Sequence, residues 1–194
     1  TVDALKLEAK GGESLVIEMV PGQIITRKSK SVVTVQDGVI VPDIMRDILK
    51  AVVVERHHAT GNIGIGLVKG FGLKQGALAS STAHDSHNIV AVGTNDDDIY
   101  AAVKEIERMQ GGIAIAAGGR ALDSLPTPIA GLLSEEPLEK VVAGLEQLQK
   151  KAAELGCTLA APFAALSFLA LPVIPELRLT DLGLVDVNEF KIIK

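Results

Sequence analysis

The chain has 194 residues, of which 47% are apolar and 22% charged, a composition typical of one globular domain, alone or with a small appendage, that can bury a sizeable core. The formal net charge is −5, the longest basic run is residues 27–30, and aromatic residues make up only 3% of the chain. We therefore expect no nucleic-acid partner, because such proteins use a concentrated basic face and aromatic platforms for bases.

The first part of the chain is predicted to consist mainly of strands. Alternating residues, β-branched runs and a turn-forming Asp37-Gly38 pair support this prediction. A short helix is expected at residues 43–49, where Pro42 suits its start. Strands are predicted at residues 5–9, 15–20, 23–26, 31–35, 39–41 and 51–54.

The second part is predicted to contain further strands and two long helices. Strands are expected at residues 77–82, 89–93 and 113–116. The first helix would be capped by Thr94 or Asn95, carry three aspartates in its first turn and end at Gly111-Gly112. The second would be capped by Ser134, present a broad apolar stripe and end at Gly156.

This order of elements predicts an α/β or α+β domain in which a mixed β-sheet packs with two long helices, preceded by an N-terminal β-rich segment. We expect the lead-in to cover residues 1–41 and the α/β domain to cover residues 42–194. The last forty residues are rich in proline and are expected to wrap the core.

Several features favour a cytoplasmic location without membrane attachment. The single cysteine, Cys157, cannot form an intrachain disulfide, which favours a reducing compartment. The N-terminal residues alternate and carry charges, unlike a signal peptide. The longest apolar stretch, residues 159–174, is interrupted by Pro162 and Pro172 and is too broken to span a bilayer.

All four histidines lie in two short polar runs, which we name the first histidine segment (residues 55–62) and the second histidine segment (residues 83–89). Imidazole titrates near neutral pH and binds metals, so this clustering indicates a site. The candidate residues are His84, Asp85, Ser86, His87 and Asn88 in the second segment and His57, His58 and Asn62 in the first.

The residues alone leave the use of these segments open. The spacing of His84 and His87 allows a metal site, a polar loop at a substrate or domain interface, or a structural hydrogen-bond network; a zinc site would need further ligands. Residues 55–58 close a predicted buried strand, where they either face a ligand or are simply solvated.

The glycine-rich stretch and the single cysteine each allow more than one interpretation. Six glycines between residues 61 and 76 do not follow a nucleotide-binding pattern, so tight packing or a mobile loop is expected in preference to phosphate binding. Cys157 is interpreted as a small buried residue, with a nucleophile as the alternative.

Long stretches of the chain closely resemble the C-terminal domain of bacterial adenine deaminases. The resemblance covers nearly the whole chain, and motifs of this length are specific. It is carried by residues 21–26, 54–74, 80–89, 93–96, 124–132 and 166–176.

This resemblance implies an amidohydrolase that hydrolyses adenine to hypoxanthine and ammonia, with divalent manganese or iron held in a TIM-type barrel that precedes this region. A barrel of about 250 residues does not fit into this chain, which begins at Thr1. We therefore expect a C-terminal third that is inactive alone, with no catalytic residue, metal ligand or cofactor of its own.

The expected partners are the enzyme's own N-terminal metal-binding barrel, adenine as the substrate of the full enzyme, and further copies in a homo-oligomer. In one hypothesis the two histidine segments meet, reach over the barrel mouth and close the active site or contact the purine. Alternatively, the domain is a non-catalytic interaction or dimerisation module, or it binds a small ligand by itself.

Overall fold

A mixed eight-stranded sheet organises the chain in the computed structural model, which describes residues 1–193. The strands are β1 (Glu13–Met19), β2 (Thr26–Val32), β3 (Thr34–Gln36), β4 (Val39–Val41), β5 (Ile48–Val54), β6 (Ile63–Lys69), β7 (Ala77–Ser80), β8 (Ile89–Gly93), β9 (Gly112–Ala117), β10 (Arg120–Pro126), β11 (Leu177–Thr180), β12 (Gly183–Asp186) and β13 (Lys191–Ile193). The order of strands in the large sheet is β10-β9-β7-β8-β5-β6-β1-β2; β3 pairs with β4, and β11 to β13 form a three-stranded sheet.

Three α-helices pack with these strands: α1 (Asp96–Arg108), α2 (Leu138–Glu154) and α3 (Pro162–Leu169). Strand β1 runs parallel to β6, whereas the other neighbouring strands of the large sheet are antiparallel. The expected mixed sheet with two long helices is thus confirmed. Of the two classes left open, the structure is α+β and rich in strand. None of the helices among residues 1–193 has the length and apolar character needed to cross a membrane.

The two faces of the sheet are covered by different helices. On strand β5, Val52 belongs to the cluster formed with Ile99 and Ile106 of α1. Its neighbours Ala51 and Val53 belong to the opposite cluster, which includes side chains of α2, α3 and β11. Successive side chains of a strand point to opposite faces, so burial on both faces explains the continuous apolar run of β5.

The expected helix caps were right for α1 and wrong for α2. The side chain of Asn95 accepts a hydrogen bond from the Asp98 backbone N–H at 2.8 Å, which satisfies one of the unpaired amides at the helix start. Helix α2 instead begins after Pro137, and Ser134 lies in the preceding turn, where its hydroxyl accepts from the backbone N–H of Glu136.

The helix expected at residues 43–49 is reduced to a single 3₁₀ turn, Ile44–Arg46. It stops because Asp47 adopts a left-handed φ of 55°, and β5 starts at the next residue. The Asp47 carboxylate accepts hydrogen bonds from the backbone N–H groups of Gly70 and Gly72, both at 2.8 Å. This contact holds the turn against the end of β6.

One other expectation needs correction: residues 5–9 contain the end of a 3₁₀ helix, Val2–Leu5, and no strand of the large sheet. Of the two alternatives for the glycine-rich segment, tight packing is confirmed, because most of its middle forms β6 inside the sheet and Gly64 lies against Thr180. The proline-rich tail forms α3 and the three-stranded sheet, and it packs against the core as expected. The hairpin at Asp37-Gly38 is confirmed by positive φ angles at both residues.

Strands β1 and β2 of the lead-in belong to the large sheet. The division of the chain at residue 41 stays a prediction.

Tight packing at Gly64 gives a test of the fold. A Cβ atom at this position would lie 1.7 Å from the backbone carbonyl oxygen of Thr180, at the end of β11. We expect Gly64→Ala to lower the free energy of unfolding by about 3 kcal/mol, the upper part of the usual range for overpacking. Gly11→Ala is the control, because no heavy atom lies within 4 Å of its added Cβ, and it should change the free energy by less than about 0.5 kcal/mol. Equal urea denaturation curves for the two variants would contradict the packing of β6 against β11.

Candidate functional site

The two histidine segments leave the sheet at the same end. Val54, the last residue of β5, pairs with Ile63 at the start of β6 and with Ile89 at the start of β8. The first segment connects β5 to β6, and the second leads into β8. Antiparallel pairing therefore brings together two polar runs that the sequence separates.

Arg56 joins these two segments to a third loop. Its Nε donates a hydrogen bond to the carbonyl oxygen of His87 at 2.5 Å, and its Nη2 donates to that of Ala130 at 2.7 Å. The guanidinium also packs closely on Gly131, where an added Cβ would lie 2.6 Å from Nη2. The planar fork of arginine can bind two acceptors in fixed directions. Arg56 thus holds residues 127–133 beside the histidine segments.

Three of the four imidazoles gather at this edge. The Nε2 of His57 donates to the carbonyl oxygen of Ser86 at 2.7 Å and so bridges the two segments. The ring centroid of His84 lies 6.0 Å from that of His87 and 4.9 Å from that of Phe168 in α3. Among the predicted site residues, His58 donates its backbone N–H to the Glu55 carboxylate within the first segment, whereas Asp85 and Ser86 are exposed.

The pKa of His87 lies below its ordinary value. Burial lowers it most, and the electrostatic effects of His84 and Arg56 lower it further, against the opposing effect of Asp85. Its Nδ1 accepts a hydrogen bond from the backbone N–H of Ala83 at 3.3 Å. In neutral imidazole the proton then resides on Nε2, which makes that nitrogen a hydrogen-bond donor.

Asp181 is a residue of this network that the sequence did not indicate. It follows β11, and its two carboxylate oxygens each accept a hydrogen bond at 3.2 Å, one from the side-chain amide of Asn62 and one from that of Asn88. Asn88 in turn accepts from the backbone N–H of Arg56 at 3.4 Å. The predicted residues Asn62 and Asn88 thus belong to one hydrogen-bond network that anchors both histidine segments.

Glu55 shapes the first segment. Its carboxylate accepts hydrogen bonds from the backbone N–H groups of His57, His58 and Thr60 and from the Thr60 hydroxyl. These bonds, led by that of Thr60, lower the pKa of Glu55 to about 2. A carboxylate with so low a pKa is a poor general acid or base near neutral pH, so Glu55 serves the loop conformation.

The described residues provide neither a metal centre nor an evident nucleophile. Within residues 1–193, no group of three or more His, Cys, Asp or Glu side chains is arranged to hold a metal ion. Cys157 is buried, and burial raises the pKa of its thiol, which opposes formation of a reactive thiolate. The arrangement instead supplies hydrogen-bond donors and acceptors in fixed positions.

Comparison with known proteins connects this geometry to a family. The family model described as the adenine deaminase C-terminal domain matches residues 23–191. The chain belongs to this family.

The curated relatives of this chain are longer proteins named adenine deaminases. An adenine deaminase from Dehalococcoides mccartyi is 62% identical over 189 residues, which cover 97% of this chain and 33% of that protein. Adenine deaminases from Desulfatibacillum aliphaticivorans and Halalkalibacterium halodurans are 53% and 49% identical, and this chain again covers 33% of each. The chain spans about a third of the length of these curated relatives. The expected family membership is confirmed, whereas contact of any predicted site residue with a substrate stays a prediction.

The low pKa of Glu55 gives a test of the first histidine segment. A carboxyl whose pKa falls from 4.5 to about 2 on folding stabilises the loop fully above pH 4.5, and this contribution is lost as the pH falls through 2. We expect the amide resonance of Thr60 to keep its native chemical shift below pH 4 and to titrate with a midpoint near pH 2. Glu55→Gln should abolish that titration. A midpoint near 4.5 in the unmodified protein would contradict the hydrogen bonding described for Glu55.

Proposed function

We propose that this chain works as the C-terminal part of an adenine deaminase, a hydrolase that converts adenine and water to hypoxanthine and ammonia. The observation that carries the proposal is the family match over residues 23–191, supported by relatives named adenine deaminases, one of them 62% identical. These relatives are about three times as long as the chain, so the rest of the polypeptide would be its first partner.

The metal of the reaction would lie outside this domain, in an N-terminal barrel. Within residues 1–193 the histidine segments do not fit a metal ion, since Nδ1 of His87 already accepts the Ala83 N–H and no third ligand completes a group. Manganese or iron in the barrel would activate the water that replaces the amine. The residues of this chain are assigned a different task.

That task is to form a polar wall of the active site. The neutral His87 would donate a hydrogen bond from Nε2 to an acceptor nitrogen or oxygen of the purine. Arg56 and Asp181 keep the two segments in place through the carbonyl of His87 and the amide of Asn88. Because the donor is held before the substrate arrives, little conformational entropy is lost on binding.

The proposal includes a cellular setting and an assembly. A buried single cysteine fits a reducing cytoplasm, and conversion of adenine to hypoxanthine is a step of purine metabolism and salvage. A homo-oligomer remains the alternative role for the domain, favoured by the exposed side chains of Leu133, Leu138 and Val142, which are 63%, 72% and 45% exposed. Sedimentation velocity of the full polypeptide measures its mass in solution and so distinguishes a monomer from an oligomer.

Removal of the His87 imidazole tests the proposed function. In the full-length adenine deaminase that carries this domain, we expect His87→Ala to lower kcat/KM for adenine by about tenfold, since one hydrogen bond to substrate is worth about 1.4 kcal/mol. We expect Asp85→Ala, which removes an exposed carboxylate of the same segment, to lower kcat/KM as well. His87 adopts a φ of 51°, so His87→Asn is the second variant: asparagine tolerates this conformation but lacks the imidazole.

The matched control is Glu146→Ala on the exposed side of α2, which should leave kcat/KM unchanged. Circular dichroism and thermal unfolding establish that each variant is folded. Near-normal kcat/KM in all three cluster variants, with native unfolding curves, would rule out a role of these segments at the substrate.

A further inference from the structure

Two segments without a charged residue meet at the surface of this protein, although 22% of its residues are charged. They are residues 19–26 and residues 157–175, the second a run of nineteen positions without Asp, Glu, Lys, Arg or His. Parts of both are exposed: Ile24 is 50% exposed and Val173 is 66% exposed. We name them together the uncharged surface.

The two segments lie side by side. The backbone N–H of Thr26 donates to the carbonyl oxygen of Pro175, and the N–H of Glu176 donates to that of Thr26, both at 3.0 Å. A groove of about 270 Å³ runs between α3 and the first segment, with Ile24, Ala164 and Phe168 among its lining residues. The uncharged surface is therefore one continuous feature.

A buried arginine preforms this surface. The guanidinium of Arg178 is fully buried and donates to four backbone carbonyls, those of Ile24, Phe168, Ile174 and Pro175, at 2.6 to 3.2 Å. All four acceptors belong to the two uncharged segments. Carbonyl dipoles held by a buried cation give a rigid backbone, which lowers the entropy lost when a partner binds.

Helix α3 shows that the surface is built to be covered. Its inner side packs Phe163, Leu166 and Leu169 into the core, while Ala164 on its outer side is exposed. A helix that is apolar all round is normally buried on all sides. A continuous apolar surface on a protein of otherwise ordinary charge marks a site of protein contact.

Two observations indicate which partner covers the uncharged surface: the length of the related proteins and the position of the histidine segments beside this surface. About two thirds of each related adenine deaminase lies outside the part that matches this chain. The ring of Phe168 in the groove lies 4.9 Å from that of His84, and the backbone N–H of His84 donates to the carbonyl of Ser167. The uncharged surface and the histidine segments thus form one face of the domain.

We infer that the N-terminal region of the same adenine deaminase polypeptide docks on the uncharged surface through apolar side chains that enter the groove beside α3. The inference rests on the proposed function in one respect, that the adjoining histidine segments face that region. A covalent connection keeps the two parts at high effective concentration, so a modest apolar contact suffices to keep them docked.

Site-specific cross-linking in the full-length polypeptide tests the docking. The photoreactive residue benzoylphenylalanine replaces Ala164 in the groove or, as the matched control, Ala143, an exposed alanine of α2. Irradiation of a mixture of ¹⁴N- and ¹⁵N-labelled enzyme, followed by mass spectrometry, distinguishes cross-links within one polypeptide from those between copies. We expect Ala164 to cross-link within one polypeptide to peptides of the N-terminal region, at a yield about tenfold above that of Ala143.

Two outcomes would overturn the inference: cross-links from Ala164 that join only different copies, or a yield no greater than that of Ala143. A second pair, Ala164→Arg and Ala143→Arg, covers the case in which the bulky probe prevents docking. Hydrogen exchange of residues 19–26 should become faster only in Ala164→Arg, and equal exchange in the two variants would also contradict docking. None of these readouts depends on catalysis, so normal activity in the variants of residues 85 and 87 would reject the proposed role of the histidine segments at the substrate and leave the docking intact.

Discussion

The antiparallel pairing of β5 with both β6 and β8 determines where the polar chemistry of this domain lies. Val54 faces Ile63 on one side and Ile89 on the other, so both histidine segments emerge at one end of the sheet. A shift of one residue would move each buried side chain of β5 from its own core cluster to the cluster on the opposite face. The buried core therefore also fixes the register that brings His57, His84 and His87 together.

Two arginines organise the two halves of one face by the same physical means. Arg56 binds the carbonyl oxygens of His87 and Ala130 in the polar half, and Arg178 binds four carbonyl oxygens in the uncharged half. Burial lowers the pKa of Arg178 to about 10, so the guanidinium keeps its charge at neutral pH. Charge-assisted hydrogen bonds from these two guanidinium groups thus fix the backbone in both halves of the face.

Local signals in the sequence predicted the elements whose stabilising contacts are local. Asn95 with the aspartates that follow it marked the start of α1, and the β-branched run at residues 51–54 marked β5. Helix α3 was missed because an all-round apolar helix has no 3.6-residue periodicity. The two histidine segments were recognised by composition, but Asp181 was not, since its role depends on contact with Asn62 and Asn88, which lie 119 and 93 positions away.

We propose that the histidine segments face the substrate in an adenine deaminase. Hydrogen exchange of the full-length enzyme, measured with and without saturating hypoxanthine, tests it most directly, because the product occupies the active site without turnover. We expect slower exchange in residues 55–62 and 83–88 and unchanged exchange in β2, an edge strand of the sheet. Unchanged exchange in both histidine segments, with the product bound, would contradict it.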